Sequence, residues 1–83
     1  MIKNLYYHKY EDEHGNETCW SVQFDYNYKN YSIFNYGNIS SYRKYMGFIT
    51  DKNHMKYGNE LFASNTWLNL EQAIRIINLQ IYK

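Results

Sequence analysis

Few side chains in this 83-residue sequence could carry covalent or acid–base chemistry: Cys19, His8, His14 and His54. An imidazolium beside a thiol lowers the thiol pKa and creates a thiolate nucleophile, so a Cys–His pair is the first enzyme to look for. Nothing in the spacing of these four residues selects that geometry. A Gly-rich phosphate loop, a His-Glu-x-x-His helix, a nucleophile elbow and a paired-cysteine motif are all missing from the sequence. A hairpin through residues 8–19 would gather His8, His14 and Cys19 as metal ligands, with Glu17 as the fourth. The spacing His-x5-His-x4-Cys matches no zinc pattern. A small strand cysteine with surface histidines is the commoner arrangement. The expectation is no enzyme, no metal and no cofactor.

Two charge clusters say more. Glu11, Asp12, Glu13 and Glu17 place four carboxylates around one turn with no Lys or Arg among them. A solvated turn would account for them. So would a tip that imitates phosphates and enters a basic nucleic-acid groove on another protein. The second cluster spans residues 42–57 and holds Tyr42, Arg43, Lys44, Tyr45, Lys52, Lys56 and Tyr57 against the single carboxylate of Asp51. A charged edge that blocks unwanted strand pairing explains it simply. Alternatively its cations neutralise phosphates while its tyrosines stack on exposed bases, as single-strand nucleic-acid binders do.

The elements that position these clusters follow from periodicity. Trp20, Val22, Phe24 and Tyr26 alternate with Cys19, Ser21, Gln23 and Asp25, which predicts a strand over 18–26. A second strand follows to Tyr36. The favoured connection is a three-residue loop, Tyr28-Lys29-Asn30, with Asn30 left-handed; it sets Phe24 opposite Phe34 and Val22 opposite Tyr36. A two-residue loop that sets Phe24 opposite Asn35 ranks second. Residues 2–10 form a first strand with aromatics on both faces, and Gly15 with Asn16 turns the chain into the next. Residues 39–43 read as a short helical or irregular turn and 44–50 as a strand. Met55 to Tyr57 and Glu60 to Ala63 read as a return strand broken at Gly58-Asn59.

The C-terminal helix has the strongest signal. Asn69 and Gln72 fit a capping box, and Leu68 is placed to staple against Ala73. Leu70, Ala73, Ile74, Ile77 and Ile81 then form one stripe at helical spacing. Ile76, Leu79 and Tyr82 fall off that stripe and are candidates for self-association into a homodimer. Residues 1–83 thus read as a single small α+β domain, an antiparallel β-meander of four to five strands packed against one C-terminal α-helix.

Composition bounds the function. Eleven Tyr, four Phe and two Trp exceed what so small a core can bury, so several should lie exposed and serve binding. The lone cysteine excludes an internal disulfide and favours a reducing, cytoplasmic setting. No apolar run suits a signal peptide or a membrane span. The net charge of +1 gives no whole-molecule field toward nucleic acid. Absent proline with abundant Asn, Tyr, Ile and Lys suggests A/T-rich codons and a phage or mobile-element origin. The expected role is a small, non-enzymatic binding protein whose partner is most readily another protein. Inhibition of a host nucleic-acid enzyme or defence system, by anti-CRISPR-like blocking of a nucleic-acid groove, is the concrete form. The alternative is a single-stranded DNA- or RNA-binding protein that uses residues 42–57.

Overall fold

The computed structural model describes residues 2–11, 13–15, 17–37, 45–56 and 58–81. Five strands, β1 (Ile2–Glu11), β2 (Glu17–Tyr26), β3 (Lys29–Tyr36), β4 (Gly47–Asp51) and β5 (Phe62–Ser64), pair in sequence order in one antiparallel sheet. One helix, α1 (Leu70–Ile76), follows and continues as a wider π-helical turn over Ile77–Ile81. This is the expected α+β meander with a single C-terminal helix. Among the described residues, no helix is long and apolar enough to cross a membrane.

The β2–β3 hairpin turns one step earlier than expected. Asn27 and Tyr28 both take left-handed backbone angles, φ 53° and 64°, and form a two-residue loop. Such primed turns match the twist of the flanking strands, and asparagine tolerates the conformation well. The register therefore pairs Phe24 with Tyr31 and Val22 with Ile33, neither of them the expected partner. The favoured register differs from it by an odd number of residues and would move every β3 side chain to the other face; the second-ranked register differs by an even number, keeping the faces but sliding every partner along the strand. In the observed register Val22, Phe24, Tyr31 and Ile33 are all fully buried in one cluster. Phe34 and Tyr36 pass to the opposite face. Burial of a contiguous apolar face outweighs the aromatic pairing that the sequence suggested.

The helix lies over that cluster. Asn69 caps it: its side chain accepts from the Gln72 backbone N–H at 2.8 Å while Gln72 Oε1 accepts from the Asn69 N–H at 3.0 Å. Leu68, Ala73 and Ile77 are buried in the core, with Leu70, Ile74 and Ile81 packed at its margin. Ile76, assigned to the outer surface, also packs against the core, whereas Leu79 is 64% exposed. Tyr82 lies outside the described residues. The π-helical turn shifts the phase of the helix after Ile76, which a uniform 3.6 period cannot anticipate.

The entry to the helix is fixed from below. Asn35, on β3 and fully buried, donates from Nδ2 to the Leu68 carbonyl at 2.8 Å and accepts on Oδ1 from the Leu68 N–H at 2.7 Å. A side-chain amide here replaces a missing strand. Trp67 donates from Nε1 to the Tyr36 carbonyl at 2.8 Å and meets Trp20 edge-on at 5.9 Å. Gly47, opposite Asn35 on β4, leaves room for this arrangement. A Cβ there would lie 2.6 Å from the Thr66 carbonyl oxygen and 3.1 Å from Asn35 Oδ1. The strand expected over 44–50 is observed as β4, with Gly47 as its first residue and all five of its residues buried. The expected segment 39–43 lies outside the described residues. Met55 and Lys56 are not in a strand: Gly58 takes φ 87° and Asn59 donates to the Lys56 carbonyl, so the return strand is confined to Phe62–Ser64.

Two substitutions test the clamp. Asn35→Ala strips both partners from a buried peptide group and should cost about 2–4 kcal/mol in denaturant unfolding. Gly47→Ala should be comparably damaging, because rigid backbone rather than a flexible side chain stands in the way. Leu79→Asp, on the exposed helix flank, should change the unfolding midpoint by no more than about 0.5 kcal/mol equivalent.

Candidate functional site

β1 is unlike the other strands. From Lys3 to Glu11 every residue is exposed, on both faces. Leu5 and Tyr7 share the helix side of the sheet, Tyr7 opposite Val22, yet stand 44% and 58% exposed. On the other side Tyr6, His8 and Tyr10 form a row. The His8 ring lies 6.2 Å from Tyr6 and meets Tyr10 edge-on at 4.5 Å. Four of the nine large apolar side chains exposed among the described residues belong to this one strand, which concentrates contact surface where the core needs none.

The start of β1 is held polar-side. A bulge between Lys3 and Tyr6 puts Asn4 at φ 55°, and its amide donates to Asp25 Oδ2 at 2.6 Å. Asn30 donates to Asp25 Oδ1 at 2.9 Å and accepts from Gln23 Nε2 at 2.9 Å. The amides of Asn4 and then Asn30 hold the Asp25 carboxyl below its ordinary range, assisted by Lys3.

The far end of β1 carries the acidic turn. The register sets Glu11 directly opposite Glu17, Gly15 turns the chain at φ 80°, and Glu13 projects into solvent with His14 Nε2 3.5 Å away. Asp12 lies outside the described residues. The turn that the sequence placed at Gly15 thus lies at the end of the β1–β2 hairpin.

The basic segment is not assembled as one surface by the described residues. Tyr42, Arg43, Lys44 and Tyr57 lie outside them. Tyr45 is 41% exposed and meets Phe48 edge-on, and Lys52 and Lys56 are exposed in the loop after β4. On the sheet face away from the helix, Phe34, Tyr36, Phe48, Thr50, Met55 and Glu60 line a shallow groove. Sequence reasoning missed this groove because its β3 register put Phe34 and Tyr36 in the core.

The chemistry-bearing residues do not converge. Among the described residues, no group of three or more His, Cys, Asp or Glu is arranged to hold a metal ion. Cys19 is buried opposite Tyr10, and its Sγ contacts the Trp20 carbonyl at 3.8 Å. His8 is engaged by its tyrosine neighbours and His14 sits at the tip. His54 instead serves Asp51, a pairing the sequence did not suggest. Its Nδ1 lies 2.7 Å from Asp51 Oδ1, which also accepts from the Asn53 N–H at 2.8 Å, and Lys29 Nζ is 3.5 Å from Oδ2. Burial pushes the Asp51 carboxyl up, but the bonds from His54 and Asn53 and the nearby Lys29 charge outweigh it and leave it below the ordinary range. This carboxylate ties the turn after β4 to the core.

Comparison with protein-family models, curated proteins and solved structures found no match.

The Asp51 cluster predicts an acid limb in stability. A carboxyl whose folded pKa is depressed stabilises the fold above its unfolded pKa of about 3.9, and that contribution is lost as pH falls through the folded value. Asp51→Asn should therefore be less stable than the parent at neutral pH, by about 1–3 kcal/mol. The difference should shrink as the pH is lowered from about 5 toward 2. Urea titrations across that range read it directly; a pH-independent gap would show that the ionised form contributes nothing.

Proposed function

We propose that this protein is a non-enzymatic binding domain that docks on another protein through its β1–β2 hairpin. The observation that carries the reading is the exposure of β1 on both faces, with Tyr6, Tyr7 and Tyr10 held open beside a carboxylate-rich tip. Tyrosines supply large amphipathic contact area at low entropy cost, and they are enriched where binding energy concentrates. The carboxylates of Glu11, Asp12, Glu13 and Glu17 suit a basic partner surface. Such a surface is the groove of a nucleic-acid enzyme, and occupying it would inhibit that enzyme. The inhibitory, phage-borne form of the role rests on that charge match and on composition alone.

A second reading draws on one feature. The row Tyr6–His8–Tyr10, with Lys3 on the same side of the sheet, offers ring faces and a cation to a single-stranded nucleic acid, a placement different from the 42–57 segment. The near-zero net charge favours the protein partner.

Affinity capture from lysate with and without nuclease separates the two readings, because nuclease should release a nucleic-acid-bridged complex and leave a protein complex intact. With the captured partner purified, its association rate should fall steeply with added salt. Changing Glu11, Glu13 and Glu17 to Gln and Asp12 to Asn should weaken binding strongly with the fold unaltered. Each rim pair contributes only about 0.2–1 kcal/mol, so single substitutions should have small effects. Unchanged affinity of the quadruple variant at low salt would remove the acidic tip from the interface.

A further inference from the structure

The outer edge of β1, which pairs with no strand among the described residues, can be read residue by residue. In a two-residue hairpin the flanking pair, here Tyr26 and Lys29, exchanges backbone hydrogen bonds. Alternate β2 residues from Trp20 to Tyr26 therefore bond β3, and Cys19, Ser21, Gln23 and Asp25 bond β1. Their partners on β1 are Tyr10, His8, Tyr6 and Lys3. Tyr7 and Lys9, and by the same alternation Leu5, are left with N–H and C=O groups directed out of the sheet. The opposite edge, β5, is only three residues long, a common protection against edge pairing. β1 is ten residues long, with an unbroken register from Tyr6 to Tyr10.

We propose that a second copy of this chain occupies that edge, β1 running antiparallel to its counterpart about a two-fold axis at Tyr7. Charge selects this occupant and this direction. The strand begins with Lys3 and ends with Glu11, followed by Glu13, so a two-fold brings each end against the opposite charge in the other copy. A parallel copy would set lysine beside lysine and glutamate beside glutamate. In the two-fold register Tyr7 faces Tyr7, Leu5 lies opposite Lys9, and Tyr6 lies opposite His8. These are aromatic and long-stem cross-strand pairs of the kind that stabilise sheets. The two sheets become one of ten strands, closed by its short β5 edges rather than open to further growth. One strand per copy is a small interface, so the dimer is reversible. It differs from the self-association through Ile76, Leu79 and Tyr82 expected from the sequence, and it does not depend on the docking reading, since the acidic tips would project from opposite ends.

Sedimentation velocity of the full chain from low to high micromolar concentration should show monomer passing to dimer. Tyr7→Pro removes an N–H that points outward, which an edge strand tolerates, and should hold the protein monomeric at every concentration with an unchanged circular dichroism spectrum. His8→Pro removes an N–H bonded to β2 and should instead disrupt the hairpin. Paired strands set opposed Cα atoms within disulfide reach. Tyr7→Cys in a Cys19→Ala background should thus form a covalent dimer on mild oxidation, whereas Leu79→Cys in that background should not. A parent chain that stays monomeric throughout overturns the proposal, as does a dimer that a folded Tyr7→Pro leaves intact. If Tyr7→Pro fails to fold, absence of the Tyr7→Cys crosslink overturns it.

Discussion

The structure turns on a pair of hydrogen bonds between one side chain and one peptide group. Asn35 lies in the middle of the sheet with no exposed surface and treats Leu68 as a strand partner, donating to its carbonyl and accepting from its N–H. A buried amide is costly unless all its partners are present, so the pairing admits one position for Leu68 and no neighbouring one. From there the helix entry, the cap at Asn69 and the placement of Ala73 and Ile77 over Val22, Ile33 and Ile49 are determined. Gly47 belongs to the same constraint, because only a residue without a Cβ fits beneath Thr66 and Leu68.

This arrangement explains how a domain with so few aliphatic residues is held together and why its aromatics divide as they do. Phe24 and Tyr31 stack in the core at 5.9 Å. Trp20 and Trp67 seal the side where the loop before the helix crosses the sheet. The helix covers the middle of the sheet and not β1, whose tyrosines are left outside. Stability and exposed surface are thereby separated along the sheet: the centre packs, and the edge carries exposed aromatic side chains.

Much of this was legible in the sequence. Alternation gave away β2, the capping box fixed the start of the helix to the residue, and Gly15 marked the acidic tip. What the sequence concealed was register and long-range polarity. A turn with Tyr28 at positive φ is unusual enough that Asn30 looked the better left-handed residue, and that choice sent Phe34 and Tyr36 to the wrong face. Asn35 carries no local signal of its role because its partner is 33 residues away. His54 and Asp51 looked like parts of a solvated turn, although Asp51 is buried. The both-sided exposure of β1 was visible as aromatics on each parity, but only the reach of the helix decides that neither side is covered.

The order of the strands has a consequence for how the chain reaches this state. Each strand pairs with its immediate neighbour in sequence, so every ladder closes a short loop and the sheet can grow by successive hairpins at little entropic cost. Among the described elements the helix comes after all five strands, and it covers the central apolar face. During synthesis the finished ladders must wait, with Val22, Ile33 and Ile49 open to water, until Leu68 emerges and Asn35 can capture it. The interval between those events is when a nascent chain of this protein is most exposed to association with others, and its length is set by the roughly 30 residues that separate β3 from the helix at ribosomal elongation speed.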